Sequence, residues 1–167
     1  MTKKKMDKKH KLIYIIGAIA ALLLIAVFAI CVMMTKIGGN GLHSQITSFI
    51  FSKGYGLGGA VSHTIVRQGN KAHLLHESFS PDGEKKKVEK DIDVKYLDQL
   101  ANIIEKENIQ AWNGFNKSES LMDGPGFTLK IEYENGKKIE AHGYGSFPDN
   151  YDDVNITLST FLDTITQ

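Results

Sequence analysis

The sequence predicts an α+β domain behind a single transmembrane helix: an antiparallel sheet with two helices packed on one face, in the order ββββ-α-ββ-α. Three observations carry this. An uncharged apolar run of about 23 residues extends from Leu12 to Met34. Six later segments show strand-like composition or alternation, and two more repeat apolar residues at three-and-four spacing.

The chain divides by charge. Residues 1–11 hold six lysines against Asp7, about +5, whereas 13 basic and 18 acidic residues follow Lys36. Such a basic end points to membrane or nucleic acid. Its position against the apolar run selects membrane and leaves no nucleic-acid partner. At 1.5 Å per residue the run from Leu12 to Met34 crosses a ~30 Å hydrocarbon core, so the lipid bilayer is its partner. Lys11 and Lys36 bracket it, and Tyr14 suits the interface. Six lysines precede the span and only Lys36 and Lys53 occur in the twenty residues after it. The positive-inside rule therefore places the N-terminus in the cytoplasm and the C-terminal domain outside. A cleaved signal peptide is the alternative; its apolar core is shorter and ends in a small-x-small site, unlike Ala29-Ile30-Cys31-Val32-Met33-Met34. Lipidation at Cys31 wants a small residue where Ile30 stands. The expected organisation is a cytoplasmic tail (1–11), a retained anchor (12–35), a flexible tether containing Gly38-Gly39-Asn40-Gly41 (36–45) and an extracytoplasmic domain (46–167). Cys31 is the single cysteine, which excludes an intrachain disulfide, thiol catalysis and cysteine-ligated zinc from that domain.

Within the domain, Ile46 to Ser52 alternates Thr47, Phe49 and Phe51 against Ile46, Ser48 and Ile50. Apolar on both faces, it suits a central strand. Ala60 to Arg67 and Lys71 to Ser78 flank Gln68-Gly69-Asn70 and form a hairpin. Lys86 to Asp91 reads as a charged edge strand after the Ser80-Pro81-Asp82-Gly83 turn. Asp93 caps a helix running to about Asn108, whose buried face is Val94, Leu97, Leu100, Ala101 and Ile104. Gly126 to Glu134 and the strand carrying Ile139, Ala141 and Gly143 form a second hairpin. A two-residue turn would set Ile131 against Glu140; a three-residue loop of Glu134-Asn135-Gly136, with Gly136 left-handed, sets Ile131 against Ile139. The second helix begins after Pro148, near Asp149 or Asn150. Asp152 and Asp153 occupy its positive end, and Tyr151, Val154, Leu158, Phe161, Leu162 and Ile165 form its stripe.

No constellation assigns a catalytic, cofactor-binding or metal residue. Gly54-Tyr55-Gly56-Leu57-Gly58-Gly59 precedes a strand and lacks the Lys-Ser/Thr ending of a phosphate loop, so it reads as a hairpin loop. His73 and His76 point to opposite faces of a strand. His63 and His73 could meet across their hairpin, but two histidines make a weak metal site. Asp149, Asp152 and Asp153 lack the ligand number and glycine of a calcium loop. No Gly-x-Ser-x-Gly turn exists. Trp112 and Phe115 read as packing over a helix end, with a sugar-stacking platform as the sharper alternative.

The segments Trp112-Asn113-Gly114-Phe115, Asp123-Gly124-Pro125-Gly126-Phe127-Thr128-Leu129, Gly136-Lys137-Lys138-Ile139-Glu140-Ala141-His142-Gly143-Tyr144 and Phe147-Pro148 together resemble a group of uncharacterised extracytoplasmic, membrane-anchored proteins of clostridial and related Gram-positive bacteria. The resemblance covers roughly the C-terminal third. It implies a fold and an address but no activity.

The expectation is a membrane-anchored, non-enzymatic binding domain at the cell envelope, with an envelope protein, wall polymer or peptide as partner. One rival is a small enzyme acting on wall or glycan material, with Trp112 near the site and Asp123 or Asp149 as acid or base. The other is an accessory subunit of a membrane complex, packed through Gly17, Ala18, Ala20 and Ala21.

Overall fold

The structure, a computed structural model, describes residues 44–167. The basic tail, the apolar span, Cys31 and nearly all of the tether lie outside the described residues. Among those described, no helix is long and apolar enough to cross a membrane.

Residues 44–167 form an α+β unit of seven strands and two helices. In chain order these are β1 (Ile46–Tyr55), β2 (Ala60–Gln68), β3 (Lys71–Phe79), β4 (Lys85–Asp93), α1 (Lys95–Lys106), β5 (Asn116–Ser118), β6 (Pro125–Tyr133), β7 (Lys138–Tyr144) and α2 (Tyr151–Thr166). They build one sheet in the order β4-β3-β2-β1-β6-β7-β5. The apolar first strand is central and the lysine-rich β4 is an edge, as their compositions predict. The expected all-antiparallel sheet is corrected at one border: β5 joins β7 in parallel, so the sheet is mixed. Asn116, Lys117 and Ser118 are all exposed and show no alternation, so periodicity had nothing to detect. Backbone pairing places them there: Gly114 N–H donates to the Glu140 carbonyl at 2.8 Å, and Asn113 Oδ1 accepts from Glu140 N–H at 3.0 Å.

The second hairpin has the three-residue loop. Ile131 lies opposite Ile139 and Leu129 opposite Ala141. Gly136 takes φ +81°, where a Cβ would be strained, and its N–H donates to the Tyr133 carbonyl at 2.9 Å. One alternation needs amendment. Strict alternation puts Ile46 on the face opposite Phe49, yet both are buried. A bulge between Ile46 and Ser48 absorbs the extra residue and turns Ile46 inward.

Both helices cover the same face, the one bearing Phe49, Phe51, Ile65, Leu74, Leu129 and Ile131. From α1 come Leu97, Leu100 and Ile104; from α2 come Val154, Leu158, Leu162 and Ile165. Each fully buried aliphatic or aromatic side chain contributes roughly 1.5–3 kcal/mol. Polar ties confirm the placement: Arg67 Nη2 lies 3.7 Å from Asp98 Oδ1 of α1, and Lys53 Nζ donates to Asn155 Oδ1 (3.1 Å) and Ser159 Oγ (2.7 Å) of α2. The N-cap position falls on Val94, one residue later than predicted, and Asp93 Oδ1 still accepts the Lys95 N–H at 2.9 Å. The helix stops at Lys106, short of the predicted Asn108, which takes the left-handed φ of 53°.

Asn150 joins three elements at the start of α2. Its Oδ1 accepts the Trp112 Nε1–H at 2.8 Å, and its Nδ2 donates to the Glu107 carbonyl at 2.9 Å. Asn150→Ala orphans both partners in a half-buried setting. The expected loss, measured by urea unfolding, is about 1–3 kcal/mol.

Candidate functional site: the open face of the sheet

Antiparallel partners share a face, so the register places side chains in rows across the strands. On the face away from the helices, one row reads Glu77, Ser62, Ser52, Thr128, His142 from β3 to β7. The next row, toward the β1–β2 loop, reads Phe79, Ala60, Gly54, Gly126, Tyr144. Its three middle residues have almost no side chain. The result is a trough whose floor is Ala60, Gly54 and Gly126, with Phe79 and Tyr144 at its ends and short polar groups along one side. Four inter-strand steps of about 4.8 Å give a length of roughly 19 Å. The cavity is about 570 Å³ and open to solvent. A second, of about 530 Å³, shares Thr128 and His142 and continues toward Asn116 and Lys130.

The loop before β6 walls the trough. Asp123 holds φ +58°, and a Cβ on Gly56 would overlap its carbonyl, so only glycine permits this approach of the two loops. The Tyr144 hydroxyl pins the same loop, accepting the Gly124 N–H at 2.8 Å and donating to the Leu121 carbonyl at 3.2 Å. Apolar tips project beside it: Met122 is 96% exposed and Leu57 79%.

Charge in the trough is nearly balanced. Glu77 pairs with Lys85 at 3.1 Å, and Lys85 Nζ lies 5.2 Å from the centre of the Phe79 ring. Ser52 and Ser62 share a hydrogen bond of 2.7 Å, and Thr128 Oγ1 lies 3.2 Å from His142 Nδ1. Asp123 also lines the cavity and makes no ion pair among the described residues. A hydroxyl–imidazole pair suits nucleophilic chemistry when a third group orients the ring. Among the described residues the His142 ring makes no second hydrogen bond. This face can hold a ligand by hydroxyls, CH surface and aromatic edges.

Other sequence-singled residues fall elsewhere. Trp112 is 2% exposed, packed against Phe127 and stacked on Tyr151, so no ring face is offered to a sugar. Asp149 precedes α2 and does not line the trough. Asp152 and Asp153 lie in the first turn of α2, and no group of three or more metal-ligating side chains occurs among the described residues. Of the residues named from sequence, Gly54, Gly56, Gly59, Asp123, Thr128, His142 and Tyr144 line the trough. Nothing in the sequence points to Ser52, Ser62, Glu77 and Phe79 as their neighbours, because only the pairing register brings them together.

The histidine pairing is also corrected. His63 lies opposite His76, not His73, with Nε2 and Nδ1 2.9 Å apart on the helix-covered face. His63 is 3% exposed and its Nδ1 has no partner. An orphaned lone pair is more tolerable than an orphaned N–H, so His63 Nε2–H is assigned as donor to His76 Nδ1. Burial first, then the charges of His76 and Lys53, lower the His63 pKa to about 4. His73, on the opposite face, bonds Asp91 and Glu89, and those two bonds raise its pKa.

Two outcomes follow. His63 is neutral in the folded state while the unfolded chain protonates near pH 6.5, so its stabilising contribution is full above that pH. It declines as pH falls toward 4, by roughly 3 kcal/mol in all. Urea unfolding across pH 7 to 4 should show this loss, and His63→Leu should flatten that part of the curve. Gly54 has an ordinary backbone, and a Cβ there would meet nothing within 4 Å. Gly54→Ala should therefore raise stability by about 0.5–1 kcal/mol in the same assay.

Comparisons against protein families, curated proteins and solved structures found no match to this chain.

Proposed function

We propose that the chain is a single-pass protein of the Gram-positive cell envelope, kin to the uncharacterised extracytoplasmic group it resembles. Its outer domain binds an envelope component without transforming it. The carrying observation is the open sheet face: a solvent-facing trough with a small-residue floor and a pinned loop, on a sheet whose other face holds the core. Concave sites with a few fixed polar groups are where ligands bind. Within the domain the trough lies around Gly54, eight residues along β1 from its first residue, Ile46. The enzyme reading loses Trp112, which is buried.

The test uses the full-length chain in detergent micelles with washed envelopes of a Gram-positive bacterium. Co-sedimentation is expected. Thr128→Arg, which sets a long cation in the trough, should weaken it at least tenfold, while Lys106→Gln on exposed α1 leaves it unchanged. Absence of co-sedimentation, or equal binding by the Thr128 variant, refutes the proposal. Separately, protease added to intact protoplasts should remove the C-terminal domain; full protection would reverse the orientation.

A further inference from the structure

We infer that the trough over Gly54 is a binding site for a neutral glycan chain laid across the strands. This rests on the binding reading above and names the ligand class. The starting point is a glycine the fold does not need. Glycine within a strand is destabilising, and it is retained where a backbone must turn, where another chain segment presses close, or where a ligand does. Gly54 has no left-handed φ and nothing within 4 Å of its Cβ position. The first two reasons are absent, and the space above it is the trough itself.

The lining then selects the ligand. β1 is paired with β2 and with β6 around Gly54, so the floor has no free backbone donors or acceptors for an extended peptide. Recognition falls to side chains, and these are hydroxyls, an imidazole and carboxylates. Among the described residues the trough itself offers anionic polymers no unpaired cation: Lys85 is held by Glu77, the Lys53 ammonium bonds Asn155 and Ser159 on the other face, and Lys130 lines only the adjoining cavity. A neutral polyhydroxylated chain satisfies each part. Its hydroxyls meet Ser52, Ser62, Thr128, His142 and Asp123, and its CH faces meet Phe79 and the Tyr144 ring. Tyr144 is already fixed by two hydrogen bonds, so ordering it on binding costs little. A trough about 19 Å long, open along its length, suits an internal stretch of polymer better than a single sugar.

The experiment titrates the full-length protein in detergent micelles with the N-acetylglucosamine tetramer, the glucose tetramer, each monomer, and the peptide Gly-Leu-Gly-Phe-Gly. At least one tetramer should bind at least tenfold more tightly than its monomer and displace washed envelopes. Gly54→Leu and, on the next strand, Ala60→Leu fill the same space; each should abolish that binding while circular dichroism and the thermal midpoint stay near wild type. Phe79→Ala should weaken it about tenfold. If envelopes bind and the fill-in variants block them, yet neither tetramer competes or the peptide does so instead, the glycan inference falls while the binding reading stands. If a properly folded fill-in variant binds the tetramer as well as wild type, the trough is not the site. If nothing binds, both readings fall together.

Discussion

The two-sided pairing of β1 is the constraint on which the domain depends. β2 runs antiparallel along one edge of β1 and β6 along the other, over nearly its whole length. Side chains alternate with a period of two, so a slip of one residue on either side would turn Phe49 and Phe51 to solvent. Their burial locks the strand, and the lock propagates: once β1 is placed, every cross-strand row is determined out to β3 and β7. Core and trough are two faces of the same registration. The row holding Phe51 on the helix-covered face implies, one residue along, the row holding Ser52 in the open.

Much of this was legible beforehand because it rests on local chemistry. The Glu134-Asn135-Gly136 loop followed from asking which register pairs apolar with apolar. The central position of β1 and the edge position of β4 followed from which faces are apolar and which carry lysine. Three features were not legible. β5 has no pattern of its own and exists because Glu140 presents unpaired backbone groups that Asn113 and Gly114 satisfy. The bulge near Ile46 breaks alternation, and a two-residue period cannot signal its own exception. The trough residues come from five strands spread between Ser52 and Tyr144. None is unusual alone, and only knowledge of which residue opposes which assembles them.

The core also carries polar groups that a simple partition would place outside. Lys53 and His63 occupy the helix-covered face among aromatic and aliphatic neighbours, and each has found an incomplete solution. Lys53 bonds two neutral side chains of α2 and no carboxylate, and His63 keeps one nitrogen unsatisfied. Buried polar groups cost free energy unless fully bonded. The same end of the sheet carries Phe127, which lies opposite Lys53 and packs against Trp112, Phe115, Phe147 and Tyr151, so aromatic burial offsets that cost. The trough lies on the reverse of this end.

The borders of the sheet bear on how such a protein tolerates crowding. A strand edge is a template onto which another chain can add itself. Here one border is β4, whose side chains are mostly charged, Lys85, Lys86, Lys87 and Lys90 with Glu89, Asp91 and Asp93, and so favour water over a pairing partner. The other is closed by three residues of β5, too short to seed continuous pairing. Were copies tethered side by side on one surface, as proposed above, they would meet edge to edge at effective concentrations no dilute solution reaches. A heavily charged border on one side and a truncated one on the other then disfavour a growing fibre.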